Sequence, residues 1–113
     1  MKVQQRVVNK CLIVAPAGFL DASDAPEFRS VVAVAMEKTH AKHLLVDCVD
    51  LQMITSSGLQ VLLVTMRMAR EKGGRAALCR VNPPIREVLK ITRLDQFFDF
   101  HEDESAAAAL FTD

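Results

Sequence analysis

Tryptophan and tyrosine are absent from this 113-residue chain, and six phenylalanines supply all of its aromatic surface. A platform for stacking nucleic-acid bases is therefore poorly provided for. Excess charge of one sign is absent too: fourteen Lys plus Arg stand against fourteen Asp plus Glu, a formal net charge of zero. General nucleic-acid binding needs clustered positive charge, so no nucleic-acid partner is expected. No apolar run reaches the roughly 18 to 20 positions of a membrane helix, so direct membrane insertion is not expected either. The longest uncharged stretch, Leu51 to Met66, is interrupted by Gln52, Thr55, Ser56, Ser57, Gly58, Gln60 and Thr65. Cysteine is sparse. Cys11, Cys48 and Cys79 are odd in number and each lies in an apolar run, which suits buried thiols in a reducing compartment. Lys2, Arg6 and Lys10 ahead of the uncharged run Cys11 to Leu20 have the plan of a secretion leader. Pro16 and Gly18 break that run, however, and Val3 to Val8 suits a strand, so a cytoplasmic location is expected.

What is present is ordinary globular material: half of the residues are hydrophobic and a quarter are charged. The length suits one domain over residues 1–113 and leaves no room for a cleft between two lobes. Val3 to Val8 and Cys11 to Ala17 read as strands joined by a tight turn at Asn9-Lys10. Asp24, Pro26 and Glu27 have the spacing of a helix cap, followed by a stripe of Phe28, Val31, Val32, Ala35 and Met36. His43 to Val49 reads as a buried strand and Ser57 to Lys72 as a helix stopped by Gly73-Gly74. Arg75 to Val81 is a further strand. Asn82 then caps a helix opened by Pro83-Pro84, with Ile85, Val88, Leu89 and Thr92 on one side. Phe97 to Phe100 suits a short strand and Glu104 to Phe111 a closing helix. Strands alternating with helices imply right-handed crossovers and a mostly parallel sheet. The expected fold is a small α/β sandwich: a mixed sheet of four to five strands, an antiparallel N-terminal edge and about four helices.

Functional groups in such sheets gather beyond the carboxyl ends of the strands. The turn after His43 to Val49 carries Asp50-Leu51 and then Thr55-Ser56-Ser57-Gly58-Leu59. This combination resembles the STAS domain family, typified by bacterial anti-sigma factor antagonists, in which an Asp-Leu pair precedes an Asp-Ser-Ser-Gly-Leu turn opening a helix. Gly18-Phe19-Leu20-Asp21, Gly73-Gly74 and Asn82-Pro83-Pro84 match as well, and the resemblance runs from about Val3 to Phe111. It implies a protein-binding module and no enzyme. The partner would be an anti-sigma factor that is also a serine kinase, released when the first serine of the motif, Ser56, is phosphorylated. Thr55 stands where the family carries Asp; it keeps a capping oxygen and loses the charge. The alternative within the same fold is an unphosphorylated STAS subunit of another assembly, such as a lipid-transport complex.

At about 100° per residue, Gly58, Val61, Leu62, Thr65, Met66 and Ala69 fall on the sheet-facing side of the second helix. Ser56, Gln60, Val64, Arg67 and Glu71 line the opposite side, with Leu63 and Arg70 beside them. The expected partner-binding residues are Asp21, Thr55, Ser57, Leu59, Gln60, Val64 and Arg67, helped by a loop from Gly18 to Asp21. Gly58 is expected to serve packing, because a side chain there would push the helix off the sheet. A neutral surface with a partly apolar stripe is compatible with a weak homodimer.

Other chemistries fit less well. Ile54-Thr55-Ser56-Ser57-Gly58 lacks the first glycine of a hydrolase elbow, and His101, preceded by Asp95 and Asp99, reads as a surface-loop histidine. Asp47 and Asp50 lie near a strand end as in a phosphoacceptor receiver, but no acidic pair follows Cys11 to Ala17 to hold magnesium. Asp50 then reads as a turn residue and Asp47 as a carboxylate reaching solvent or a nearby cation. His40 and His43, with Cys48, lack the second pair of a structural zinc site and read as the end of the first helix. No metal or cofactor is expected.

Overall fold

The computed structural model describes residues 1–108. Asn9 enters the left-handed region at φ 56°, which lets the chain reverse between β1 (Lys2–Val8) and β2 (Cys11–Leu20) as an antiparallel hairpin. β2 is ten residues long and serves two neighbours. Its first half, Cys11 to Val14, pairs in parallel with β3 (His43–Asp47). Its last three residues pair in parallel with β4 (Leu51–Ile54), with a register shift between Gly18 and Phe19 where Gly18 has φ +90°. Such an irregularity re-aims the strand, and glycine takes the required positive φ without a steric cost.

The remaining strands extend the sheet on the other side. β5 (Ala76–Cys79) runs parallel to β3, and β6 (Asp99–His101) parallel to β5, giving the order β1-β2-β3-β5-β6 with β4 beside β2. The sheet therefore has six strands, not four to five. The additional one is β4, read from sequence as part of a turn. His101 correspondingly lies in a half-buried edge strand and not in a surface loop. His43 opens β3, where it is buried and its Nδ1 accepts the Arg75 backbone N–H at 2.9 Å; of the two histidines, only His40 ends a helix.

The helices are α1 (Ala25–Thr39), α2 (Ser56–Glu71), α3 (Pro83–Ile91) and α4 (Glu104–Ala108), with a 3₁₀ turn at Leu94–Phe97. The last three positions of the expected closing helix, 109–111, lie outside the described residues. Alternation along β2 separates two cores. Leu12 and Val14 face the larger one, where Phe28, Val32 and Met36 of α1, Leu62 and Met66 of α2, and Ile85 and Leu89 of α3 are buried. Cys11 and Ile13 face the other side with Leu45, Ala77 and Cys79, beneath Ala107 of α4.

The start of α1 differs from expectation. Asp24 is already helical (φ −96°, ψ −17°) and its side chain makes no capping bond. A capping side chain needs an extended backbone to swing back over the first turn. Asp21 does the work instead: its Oδ1 accepts the Ser23 and Asp24 N–H groups at 3.0 and 3.2 Å, and its carbonyl accepts Ala25 N–H at 2.9 Å. α3 starts as expected, with Asn82 Oδ1 accepting the Ile85 N–H at 2.9 Å. Asn82 Nδ2 also donates to the Leu51 carbonyl at 2.9 Å, tying α3 to β4.

Candidate functional site

The site forms where β4 hands over to α2. Thr55 is extended (φ −99°, ψ 177°), and its Oγ1 accepts the Gly58 N–H at 3.4 Å, so this residue is the helix cap. Its backbone N–H donates to the Leu20 carbonyl at 3.1 Å, fixing the start of α2 against the end of β2. Gly58 makes that approach possible: a Cβ there would stand 2.3 Å from the Leu20 carbonyl oxygen. Packing is thus the role of Gly58, as its sequence position suggested.

Ser56 is the first residue of α2 and is exposed. Its hydroxyl makes no hydrogen bond to another described residue. The backbone N–H groups of a first helical turn lack intrahelical partners, and the dipole there favours negative charge. A phosphate on Ser56 would meet a receptive terminus at the rim of the sheet.

The residues expected to accompany Ser56 separate into groups. Ser57 is half-buried, Gln60 and Arg67 are exposed, and Val64 is half-buried and not fully exposed. Ser57, Gln60 and Val64 line a groove of about 310 Å³ whose other wall is Ala22, Pro26 and Arg29 at the start of α1. Asp21 is half-buried beside that start. Its carboxylate is held below the usual range by the Ser23 hydroxyl, and secondarily by the Asp24 N–H. Leu59 does not belong to the exposed set: it is 6% exposed and packs in the main core. The Gly18 to Asp21 segment is likewise mostly strand, with Asp21 alone beyond the end of β2.

The expected Gly18 to Asp21 segment already contained Phe19, but its neighbour Met53 was not anticipated from the sequence. Phe19 and Met53 are partners in the β2–β4 register and are 56% and 39% exposed, presenting adjacent apolar side chains just before Ser56. Recognising β4 as a strand would have revealed the pair, since Leu20 and Ile54 turn inward.

Other candidate chemistries are not assembled. Ser56 follows β4, which pairs with the far end of β2, whereas His101 lies in β6 beside β5, and no hydrogen bond joins the two side chains. Asp47 is 1% exposed; its Oδ1 accepts Arg80 Nε at 3.0 Å and Val49 N–H at 3.1 Å, and its Oδ2 accepts Arg80 Nη2. Of the two surroundings expected for Asp47, the cation is the one observed. Asp50 is an exposed turn residue. All three cysteines are buried free thiols; burial pushes Cys11 and Cys79 up to about 12 and raises Cys48 as well. Among the described residues no cluster of metal-ligating side chains occurs, and no helix is long and apolar enough to cross a membrane.

Comparison with known proteins bears on what this arrangement is. The STAS domain family model matches residues 2–107. The chain belongs to the STAS domain family. This STAS domain is 31% identical over 93 residues to the anti-sigma F factor antagonist of Paenibacillus polymyxa, covering 82% of this chain and 80% of the relative. Among solved structures, the Thermotoga maritima protein TM1081 superposes with a TM-score of 0.86 at 22% identity, over 95% of this chain and 92% of that one. SpoIIAA of Bacillus, an anti-sigma factor antagonist, is known in two forms. The unphosphorylated form matches with a TM-score of 0.73 at 19% identity, over 96% of this chain and 94% of that one. The phosphorylated form matches with the same TM-score at 21% identity, over 96% and 99%. The STAS fold here includes the mixed sheet with its antiparallel β1–β2 edge and four helices.

Proposed function

We propose that this STAS domain, one functional unit over residues 1–113, is a cytoplasmic, non-enzymatic anti-sigma factor antagonist. Its unmodified form binds an anti-sigma factor with serine kinase activity, and phosphorylation of Ser56 releases it. The observation that carries this reading is an exposed, uncommitted hydroxyl on the first residue of α2. That helix start is pinned to β2 through Thr55 and Gly58. Phosphorylation adds roughly −1.5 to −2 charges at a point where the helix dipole tolerates them. The fold is kept while a partner surface that desolvates this spot, or presents acidic groups, is repelled. SpoIIAA supports the first half: its two forms resemble this chain equally well.

Asp21, Thr55, Ser57, Gln60, Val64 and Arg67 form the recognition surface around Ser56. The Thr55 side chain supplies the cap without a negative charge, so the phosphoacceptor turn is neutral before modification. Affinity capture from the native host, followed by phosphate mapping by mass spectrometry, tests the reading. Capture of an ATPase-fold anti-sigma factor that modifies Ser56 with ATP is the expected result. Capture of a lipid-transport assembly, or phosphate on another residue, would overturn it.

A further inference from the structure

Arg93 adopts a left-handed backbone (φ 61°) after α3, and the turn brings Leu94–Phe97 back beside α2. Arg70 Nη2 donates to the Phe97 carbonyl at 2.9 Å and holds the two elements together. Between them lies a cavity of about 460 Å³ lined by Leu63, Arg67, Arg70, Leu94 and Phe97. Its volume falls within the roughly 300–1,000 Å³ of small-molecule sites. The apolar members leave surface uncovered, Phe97 being 52% exposed. The polar members are both guanidinium groups. Arg67 is exposed and has no hydrogen bond or ion pair to any described residue. Arg70 spends one of its five donors on Phe97.

We propose that this cleft binds a small amphipathic carboxylate, with an aliphatic or aromatic body lying on Leu63, Leu94 and Phe97 and its carboxylate meeting Arg67 and Arg70. An apolar floor alone would take any hydrophobe, and two cations alone would take any anion. Their combination selects a molecule with both parts, and the planar guanidinium fork matches the two oxygens of a carboxylate. Arg67 lies eleven residues after Ser56, about 16 Å along the helix and on the same face. A bound ligand therefore reaches the far end of the proposed recognition surface.

The test is a titration of the ¹⁵N-labelled protein with sodium octanoate, with octanol and acetate as controls lacking one part each. Saturable shifts confined to Leu63–Arg70 and Leu94–Phe97 are expected. Arg67→Gln should weaken octanoate binding about tenfold, the scale of one charge-assisted hydrogen bond, with an unchanged melting temperature. Phe97→Ala should weaken it as well. Shifts that grow linearly with concentration, or centre elsewhere, would overturn the proposal. So would octanol binding as tightly as octanoate, or Arg67→Gln titrating like the parent. None of these readouts involves Ser56, so the outcome is separable from the proposed phosphorylation switch.

Discussion

Replacing Gly58 by alanine opposes helix propensity to packing, and the geometry decides which wins. Within a helix, alanine is favoured over glycine by about 1 kcal/mol. Here the new Cβ would stand 2.3 Å from the Leu20 carbonyl oxygen and 2.7 Å from Ile54 Cγ1. The first neighbour is backbone and lies in β2, so α2 or the strand must withdraw by about 1 Å to reach ordinary contact. That withdrawal also stretches the Thr55 N–H to Leu20 bond, now 3.1 Å, which seats the helix cap. Overpacking costs about 1–3 kcal/mol and a lost cap about 1 kcal/mol. After the propensity gain, the net loss is about 2 kcal/mol. For a domain of this length that lowers the melting temperature by about 8 °C. Thermal melts followed by circular dichroism, with urea unfolding as a second measure, provide the assay. A variant as stable as the parent, or more so, would show that the contact between α2 and β2 yields freely. The rigidity assumed for the Ser56 rim would then be wrong.

Two further outcomes follow from buried polar groups. Arg80→Met strands the Asp47 carboxylate, which is 1% exposed, and should cost about 3–5 kcal/mol by chemical denaturation. The double variant Asp47→Leu with Arg80→Met should recover much of that loss, whereas a double variant as unstable as the sum of its singles would contradict the pairing. The Cys11 and Cys79 thiols, pushed up to about 12 by burial, should react with iodoacetamide far more slowly at pH 8 than in urea-unfolded protein. Because the unfolded thiols ionise first, their contribution to stability is complete below about pH 8.5 and falls as pH rises toward 12. Equal alkylation rates in folded and unfolded protein would refute the burial argument.

Local pattern made much of this molecule legible. The side of α2 facing the sheet and the packing role of Gly58 follow from spacing alone, whereas the capping oxygen of Thr55 came with the family resemblance. What spacing could not supply was non-local. β4 is four residues with an in-out-out-in pattern that lacks the strand period of two, and it exists because the last three residues of β2 are free to pair. Leu59 sits beside Gly58 and one turn before Leu62; periodicity locates the centre of a buried arc and not its width. Asp21 displaced Asp24 as the organiser of α1 because Asp24 is itself wound into the helix. The Asp47–Arg80 pair joins residues 33 positions apart, a separation that leaves no trace in local periodicity.

The central claim is that modification of Ser56 alters recognition while the scaffold stays intact. The most direct measurement takes the phosphorylated and unmodified proteins side by side, recording the melting temperature of each and its affinity for the captured anti-sigma factor by calorimetry. Melting temperatures within about 2 °C of one another are expected, as for an exposed substitution, with an affinity at least about a hundredfold weaker for the phosphorylated form. Equal affinities, or a phosphorylated protein that melts far below the unmodified one, would contradict it.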